Sequence, residues 1–422
     1  MKEFDKVIGY KNVKAELFRL CDLVKNKEKY ETLGVTVPKG LLLYGNPGLG
    51  KTLLCNCFIE ASGRKAFICR KDKPDGDFVN EIKTKFDEAA KNEPSIVYLD
   101  DLDKFSNDGY DNRNSEEFVT IQSCIDANKD KDIYVIATVN DMRLLPRSLT
   151  RAGRFDNIIE LKAPKGEDAV EIVKYYLSKK KYVGELDARG IARILDGSSC
   201  AQLETVINEA GIRAGYSGKN VIEMDDIIKA CMRVIYKAPE CLENGNEKFL
   251  RNIAYHEAGH SVIAEVLEPE SVNIISVLKN ESDIGGVTSY HQDDDYFQSI
   301  DYMENRVISL LGGKAATEIV YGKIDVGTIS DMRRAYDIVE RFVDYYCGYG
   351  FNAFERPDGN SDHKMEIKDQ KIAQELERYY QKAKSILIEN RELLDKMAEK
   401  LVEKKVITYI DIAEIKKNIK VA

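Results

Sequence analysis

Four short apolar runs punctuate the first 160 residues: Gly40–Tyr44 (GLLLY), Ala66–Cys69 (AFIC), Ser95–Leu99 (SIVYL) and Asp132–Ala137 (DIYVIA). Helical patterns separate them. This alternation predicts strands of a mostly parallel sheet, covered by helices on both faces. Ligands of such sheets gather where strands end. From 161 to 238 the apolar period becomes helical, most clearly over Asp168–Ser178 and Gln202–Gly215. Leu203, Val206, Ile207 and Ala210 recur at three- and four-residue steps and form one apolar stripe, as in a small helical lid.

The polar stretch Pro239–Glu247, with its Pro and Gly, is the best domain boundary. Beyond it the pattern is largely helical. Phe249–Leu267 reads as one helix stopped near Pro269, and Ser271–Tyr290, with Gly285 and Gly286, reads as a strand or hairpin. The last 60 residues predict long polar helices with core positions such as Leu376, Ile386 and Leu401. The expected organisation is an α/β core over 1–160, a helical lid over 161–238 and a mostly helical domain over 245–422. A chain of 422 residues is indeed too long for one ordinary core.

Composition narrows the class. With 32% charged and 43% hydrophobic residues the chain is globular rather than disordered. A net charge of -9 gives no support to broad nucleic-acid binding, so none is expected. The nine cysteines show no paired metal spacing, and Cys55 and Cys57 read as small buried hydrophobes of a helix. Such usage fits a reducing compartment, hence a cytoplasmic enzyme portion. No stretch approaches the length of a membrane span, and the start is not a secretory signal. A chain lacking an N-terminal anchor would look the same, and membrane association is expected only in that case.

Two motifs carry chemistry. GNPGLGKT, directly after the first apolar run, has the form of a phosphate-cradling loop. Gly45, Gly48 and Gly50 allow the tight turn, and Asn46, Pro47 and Leu49 complete the loop whose N–H groups face phosphate. Lys51 reaches the outer phosphates of ATP, and Thr52 offers a hydroxyl to Mg²⁺ as a helix begins. Asp100 ends another strand, where it would hold the Mg²⁺ shell, and Asp101 would position the attacking water. Asn140 ends a third, where it could bond that water or the γ-phosphate, or simply make a turn. Arg151 and Arg154 form a pair that could neutralise a transferring phosphoryl group, also from a neighbouring subunit; taken alone they are surface arginines.

The second motif is HEAGH. His256 and His260 lie four apart, about 40° around a helix, and can both offer nitrogens to one Zn²⁺. Glu257 lies at the edge of that face, suited to accept a proton from water rather than to ligate. Only four histidines occur in the chain, so this pairing carries weight. His291 and His363 sit in polar surroundings and read as surface residues; spacing alone does not choose the third ligand.

Over nearly its whole length the chain resembles the AAA-class zinc metalloproteases of the FtsH type. The residues carrying the likeness are Phe4–Gly9, Pro38–Gly40 with GNPGLGKT, Asn140–Asp156, Gly197–Leu203, HEAGH, Leu310–Gly322 and Gly327–Met332. The resemblance implies that Ile8 and Gly9 flank adenine, Asn140 is a sensor, Arg151 and Arg154 act in trans, and Asp331 is the third zinc ligand. It implies a hexameric ring that pulls polypeptide into a protease chamber, with substrate adding to an edge strand near Gly286–Tyr290. Three features depart from the family pattern. Asp101 replaces a glutamate, Pro74–Gly76 replaces an aromatic pore loop, and the N-terminal membrane helices are missing.

The reading is an ATP-dependent zinc endopeptidase that degrades unfolded or loosely folded proteins. Two alternatives are a nucleotide-gated peptidase with weak unfolding and a non-proteolytic chaperone or scaffold. Intact Glu257 speaks against the last.

Overall fold

The computed structural model describes residues 2–71, 77–105, 115–181, 184–238, 247–279, 285–291, 299–323, 328–346, 350 and 362–421. Within these the chain forms two compact units, Met1–Ile227 and Ile228–Ala422. Among the described residues, no helix is long and apolar enough to cross a membrane. The expected pore stretch Pro74–Gly76 lies outside the described residues.

The first unit opens with α1 (Lys11–Lys25) and α2 (Lys27–Glu31), then alternates strands and helices. These are β1 (Gly40–Tyr44), α3 (Lys51–Ser62), β2 (Lys65–Cys69), α4 (Phe78–Ala90), β3 (Ser95–Leu99), α5 (Glu116–Ala127), β4 (Ile133–Val139) and β5 (Asn157–Glu160). The strands form one parallel sheet in the order β2-β3-β4-β1-β5. Leu41, Leu42 and Leu43 are wholly buried, as are all seven residues of β4, because helices cover both faces. The four expected strands are present to within two residues at either end. β5 is an addition. Its NIIE run is too short and too exposed to announce itself, and it forms because β1 offers a free edge, pairing Leu41 with Asn157. The unit continues through α6 (Gly166–Ser178), α7 (Ala188–Ile194), α8 (Cys200–Tyr216) and α9 (Met224–Val234), the last crossing into the second unit. The predicted stripe of α8 is buried, and Ser199 and Gln202 close a reciprocal cap at its start.

The second unit contains α10 (Glu247–Leu267), β6 (Val272–Lys279), β7 (Gly285–Tyr290), α11 (Ile300–Tyr321), α12 (Ile329–Asp344), α13 (Asp362–Glu389), α14 (Arg391–Lys404), β8 (Val406–Thr408) and α15 (Tyr409–Val421). Its antiparallel sheet runs β7-β6-β8, which leaves β7 at an edge. Three-residue β8 hides between polar helices in the sequence. Its Ile407 is fully buried because it pairs with Ile275 of β6.

Glycine decides how α10 and α11 cross. A Cβ on Gly259 would lie 2.4 Å from the Gly312 carbonyl oxygen, and one on Gly312 would lie 2.6 Å from that of Gly259. The backbones therefore touch, which sets α11 close enough to serve the site on α10. Ile263, Ala258, Val307 and Ala316 fill the core around this crossing.

Candidate metal centre and nucleotide site

α10 presents His256 and His260 one turn apart, and the first turn of α12 brings Asp331 to them. His260 Nε2 lies 3.0 Å from His256 Nε2 and 3.4 Å from Asp331 Oδ2, and His256 Nε2 lies 3.3 Å from that same oxygen. A tetrahedral zinc with bonds of about 2.0–2.2 Å needs ligand atoms about 3.3–3.6 Å apart. The triangle therefore fits such an ion after a shift of a few tenths of an ångström at most. The N–H at His260 Nδ1 donates to the Ser309 carbonyl at 2.7 Å, which leaves Nε2 with a lone pair for metal. His256 packs against α11, where a Cβ on Gly313 would lie 2.5 Å from its ring. Burial pushes the Asp331 carboxyl up, but the bonds to His256 and His260 outweigh this and hold it well below the usual carboxylate range.

Glu257 is buried between this triangle and β7. Burial raises its carboxyl above the usual range, against the opposing pull of His260, His256 and Thr288. The Thr288 hydroxyl donates to Oε2 at 2.8 Å. The other oxygen, Oε1, faces Gly286, where a Cβ would approach to 2.3 Å and where φ is +85°. Glycine is thus required twice, for its backbone and for the space. Glu257, the triangle and β7 line a cleft of about 290 Å³. The arrangement can hold a metal, bind an extended chain at an edge and offer a partly desolvated base. His291 and His363 are exposed, as the sequence suggested.

In the first unit the ends of β1, β3 and β4 stand side by side and gather the nucleotide residues. Lys51 Nζ donates to the Gly45 and Asn46 carbonyls at 2.6 and 3.0 Å and to Asn140 Oδ1 at 2.9 Å. Gly45, Gly48 and Gly50 all have positive φ. Leu49 is buried under the loop, while Asn46, Pro47 and Gly48 are exposed. Thr52 Oγ1 lies 3.4 Å from Asp100 Oδ1. Burial raises the Asp100 carboxyl, but donors from Tyr98, Arg70 and Thr138 outweigh it and leave the carboxyl below its usual range. The Arg70 guanidinium is ion-paired with it directly.

Asp101 stands close enough for its charge to act on Lys51. Its φ is +56°, and its carboxylate takes an ion pair from Lys104 at 2.7 Å. The start of α8 closes over the loop: the Ala201 N–H donates to the Gly48 carbonyl at 3.1 Å. Gly9 packs against Asp168 and Ile172 of α6, with half-buried Ile8 beside it. Arg154 is held by Asp126, by Gln122 and by the Ser148 carbonyl, partners that all lie outside the phosphate loop. Arg151 is exposed.

Sequence reasoning placed Gly286 and Thr288 on a substrate-binding edge strand and Gly312 and Gly313 in a family-like segment without tying any of them to Glu257 or the histidines, and it did not single out Ser309 or Arg70. The glycine pairs were a usable signal, since glycine inside a strand or helix marks close approach. Thr288, Ser309 and Arg70 carried none.

Comparison with known proteins matches two stretches of the chain to known families. Residues 244–415 match Peptidase family M41, and residues 41–163 match the ATPase family associated with various cellular activities (AAA). The chain is 33% identical to the ATP-dependent zinc metalloprotease FtsH 2 of Thermoanaerobacter sp. (strain X514), covering 96% of this chain and 81% of that one. It is 30% identical to FtsH 2 of Phytoplasma mali (strain AT), over 98% of this chain and 62% of the relative. It is 28% identical to FtsH of Bacillus subtilis (strain 168), over 98% and 69%. With a zinc-ligand triangle beside a buried carboxylate in one unit and a phosphate loop in the other, the chain belongs to the FtsH-type family of ATP-dependent zinc metalloproteases.

Proposed function

We propose that this chain cleaves unfolded or loosely folded polypeptides, working as a homo-oligomer, and that ATP turnover governs substrate entry rather than the hydrolytic step. His256, His260 and Asp331 would hold Zn²⁺, which when bound supplies Lewis-acid activation of water and of the scissile carbonyl. Glu257 takes the proton of the attacking water through Oε1 and passes it to the departing amine. Thr288 holds the other carboxylate oxygen, so Glu257 keeps one orientation through both transfers. The edge of β7 that is open among the described residues pairs with substrate backbone and lays the scissile bond across the cleft. The observation that carries this reading is the buried Glu257 carboxylate set beside three converging ligand atoms.

At the other site, Lys51 and the loop amides hold the phosphates of ATP, Thr52 and Asp100 hold Mg²⁺, and Asn140 and Asp101 place the attacking water. Ile8 and Gly9 flank adenine. Exposed Arg151 is suited to reach a neighbouring subunit's nucleotide, whereas Arg154, tied to Asp126, braces the turn that presents it. A ring, probed as a hexamer by mass measurement, follows from that trans role. Localisation follows the family's membrane attachment if an anchor precedes this sequence, with the enzyme portion cytoplasmic.

A second reading is a nucleotide-gated peptidase with weak unfolding. The Asp101–Lys104 ion pair favours it, because it occupies the shorter carboxylate.

The test compares an unfolded protein with a stably folded, tagged one, each with and without ATP. Glu257→Gln is expected to reduce both cleavages by about 10²-fold or more. Lys51→Ala is expected to remove ATP-driven cleavage of the folded substrate. Retained cleavage in Glu257→Gln sinks the assigned base. Wild-type cleavage of the unfolded substrate alone selects the gated reading.

A further inference from the structure

A second hollow, of about 220 Å³, opens beside the metal cleft and shares Thr288, Tyr290, Leu310 and Arg334 with it. Ordinary small-molecule sites occupy roughly 300–1,000 Å³, so this one suits a single amino-acid side chain. Leu267, Leu310 and the rings of Tyr290 and Tyr302 supply apolar wall.

The charges are unequal. Among the described residues, Arg306 of α11 and Arg334 of α12 both line the hollow, against one carboxylate, Glu268. Glu268 is half-buried, and Asn305 Nδ2 donates to its Oε1 at 3.5 Å. Burial raises its carboxyl, against the opposing pull of Asn305 and of the Arg306 charge. Arg334 lies 3.7 Å from Asp331 and is partly committed to it. Arg306 is exposed at the rim.

On β7, Gly286, Thr288 and Tyr290 fall on one face, by the two-residue period of a strand. Gly286 and Thr288 of that face meet Glu257. A substrate strand laid along β7 therefore carries one side chain past Tyr290 into the hollow while its backbone crosses the cleft.

We propose that this hollow is a specificity subsite for the side chain next to the scissile bond, selecting a long side chain with a carboxylate tip, glutamate first, and rejecting lysine. The proposal rests on the zinc-peptidase reading. The apolar walls take the methylene stem, and the Arg306 fork meets the carboxylate.

The experiment digests a random-sequence peptide mixture with the full chain, supplied with Zn²⁺ and Mg-ATP, and sequences the cleavage sites. At one position flanking the cut, glutamate is expected to exceed lysine by about fivefold, the scale of a partly exposed ion pair. Arg306→Glu is a rim substitution away from the metal ligands and the base. It is expected to invert that ratio, and an exposed position contributes little to the fold. Equal use of glutamate and lysine by wild type overturns the subsite and leaves the peptidase intact. An unchanged ratio in Arg306→Glu overturns it as well. Absence of all cleavage by wild type overturns the peptidase reading and the subsite together.

Discussion

The peptidase centre and the nucleotide site both gather charged groups from separate segments of the chain, yet they hold them differently. Around Glu257 the restraint is steric. Gly286 leaves room for one carboxylate oxygen, Thr288 binds the other, and the Gly259–Gly312 contact fixes the helices behind them. Around the phosphate loop the restraint is electrostatic and self-directed. Lys51 bonds to its own loop and to Asn140, Asp100 pairs with Arg70 and Asp101 with Lys104. The peptidase geometry is preorganised, so its chemistry needs little rearrangement. At the nucleotide site the groups so paired include those that phosphate and Mg²⁺ would engage.

The sharpest way to separate the two regions is metal removal. A zinc chelator is expected to abolish peptide cleavage while ATP hydrolysis, measured as phosphate release in excess Mg²⁺, keeps most of its rate; equal loss of both would mean the sites are not independent. Next in size is Gly286→Ala. The new methyl group collides with Glu257 Oε1 and its backbone is strained, so kcat for a short peptide is expected to fall about 10²-fold with bound zinc unchanged. Metal content and turnover measured on the same sample check this.

Thr288→Val removes one hydroxyl at almost constant shape. A fall of about tenfold in kcat with little change in KM, reversed by Thr288→Ser, would show that the hydroxyl orients the base; a change confined to KM would refute that. The smallest effect tests the nucleotide side. Asp101→Glu lengthens the carboxylate by one methylene, and ATP turnover is expected to rise by about two- to fivefold. An unchanged rate would place the limit elsewhere in the cycle.

Much was legible in the sequence because its signals are local. GNPGLGKT and HEAGH each fix spacing within one turn or one loop, so Lys51, Thr52, His256, Glu257 and His260 could be named from residue type and offset. The four buried strands were legible because continuous apolar runs have few other uses. Asp331, by contrast, lies 75 positions from His256, and only family resemblance supplied it. β5 and β8 were illegible because their partners, not their own residues, make them strands.

The sequence by itself determined which groups are available: a loop that can turn around phosphate, two histidines on one helical face, and a glutamate between them. Tertiary structure decided which atoms meet. It set Oε1 of Glu257 against a glycine, brought Asp331 to the histidines, and turned Asp101 toward Lys104. The physical reason is range. Backbone propensity and periodicity act over a few residues, whereas close packing and charge pairing act between segments that only the complete fold brings together.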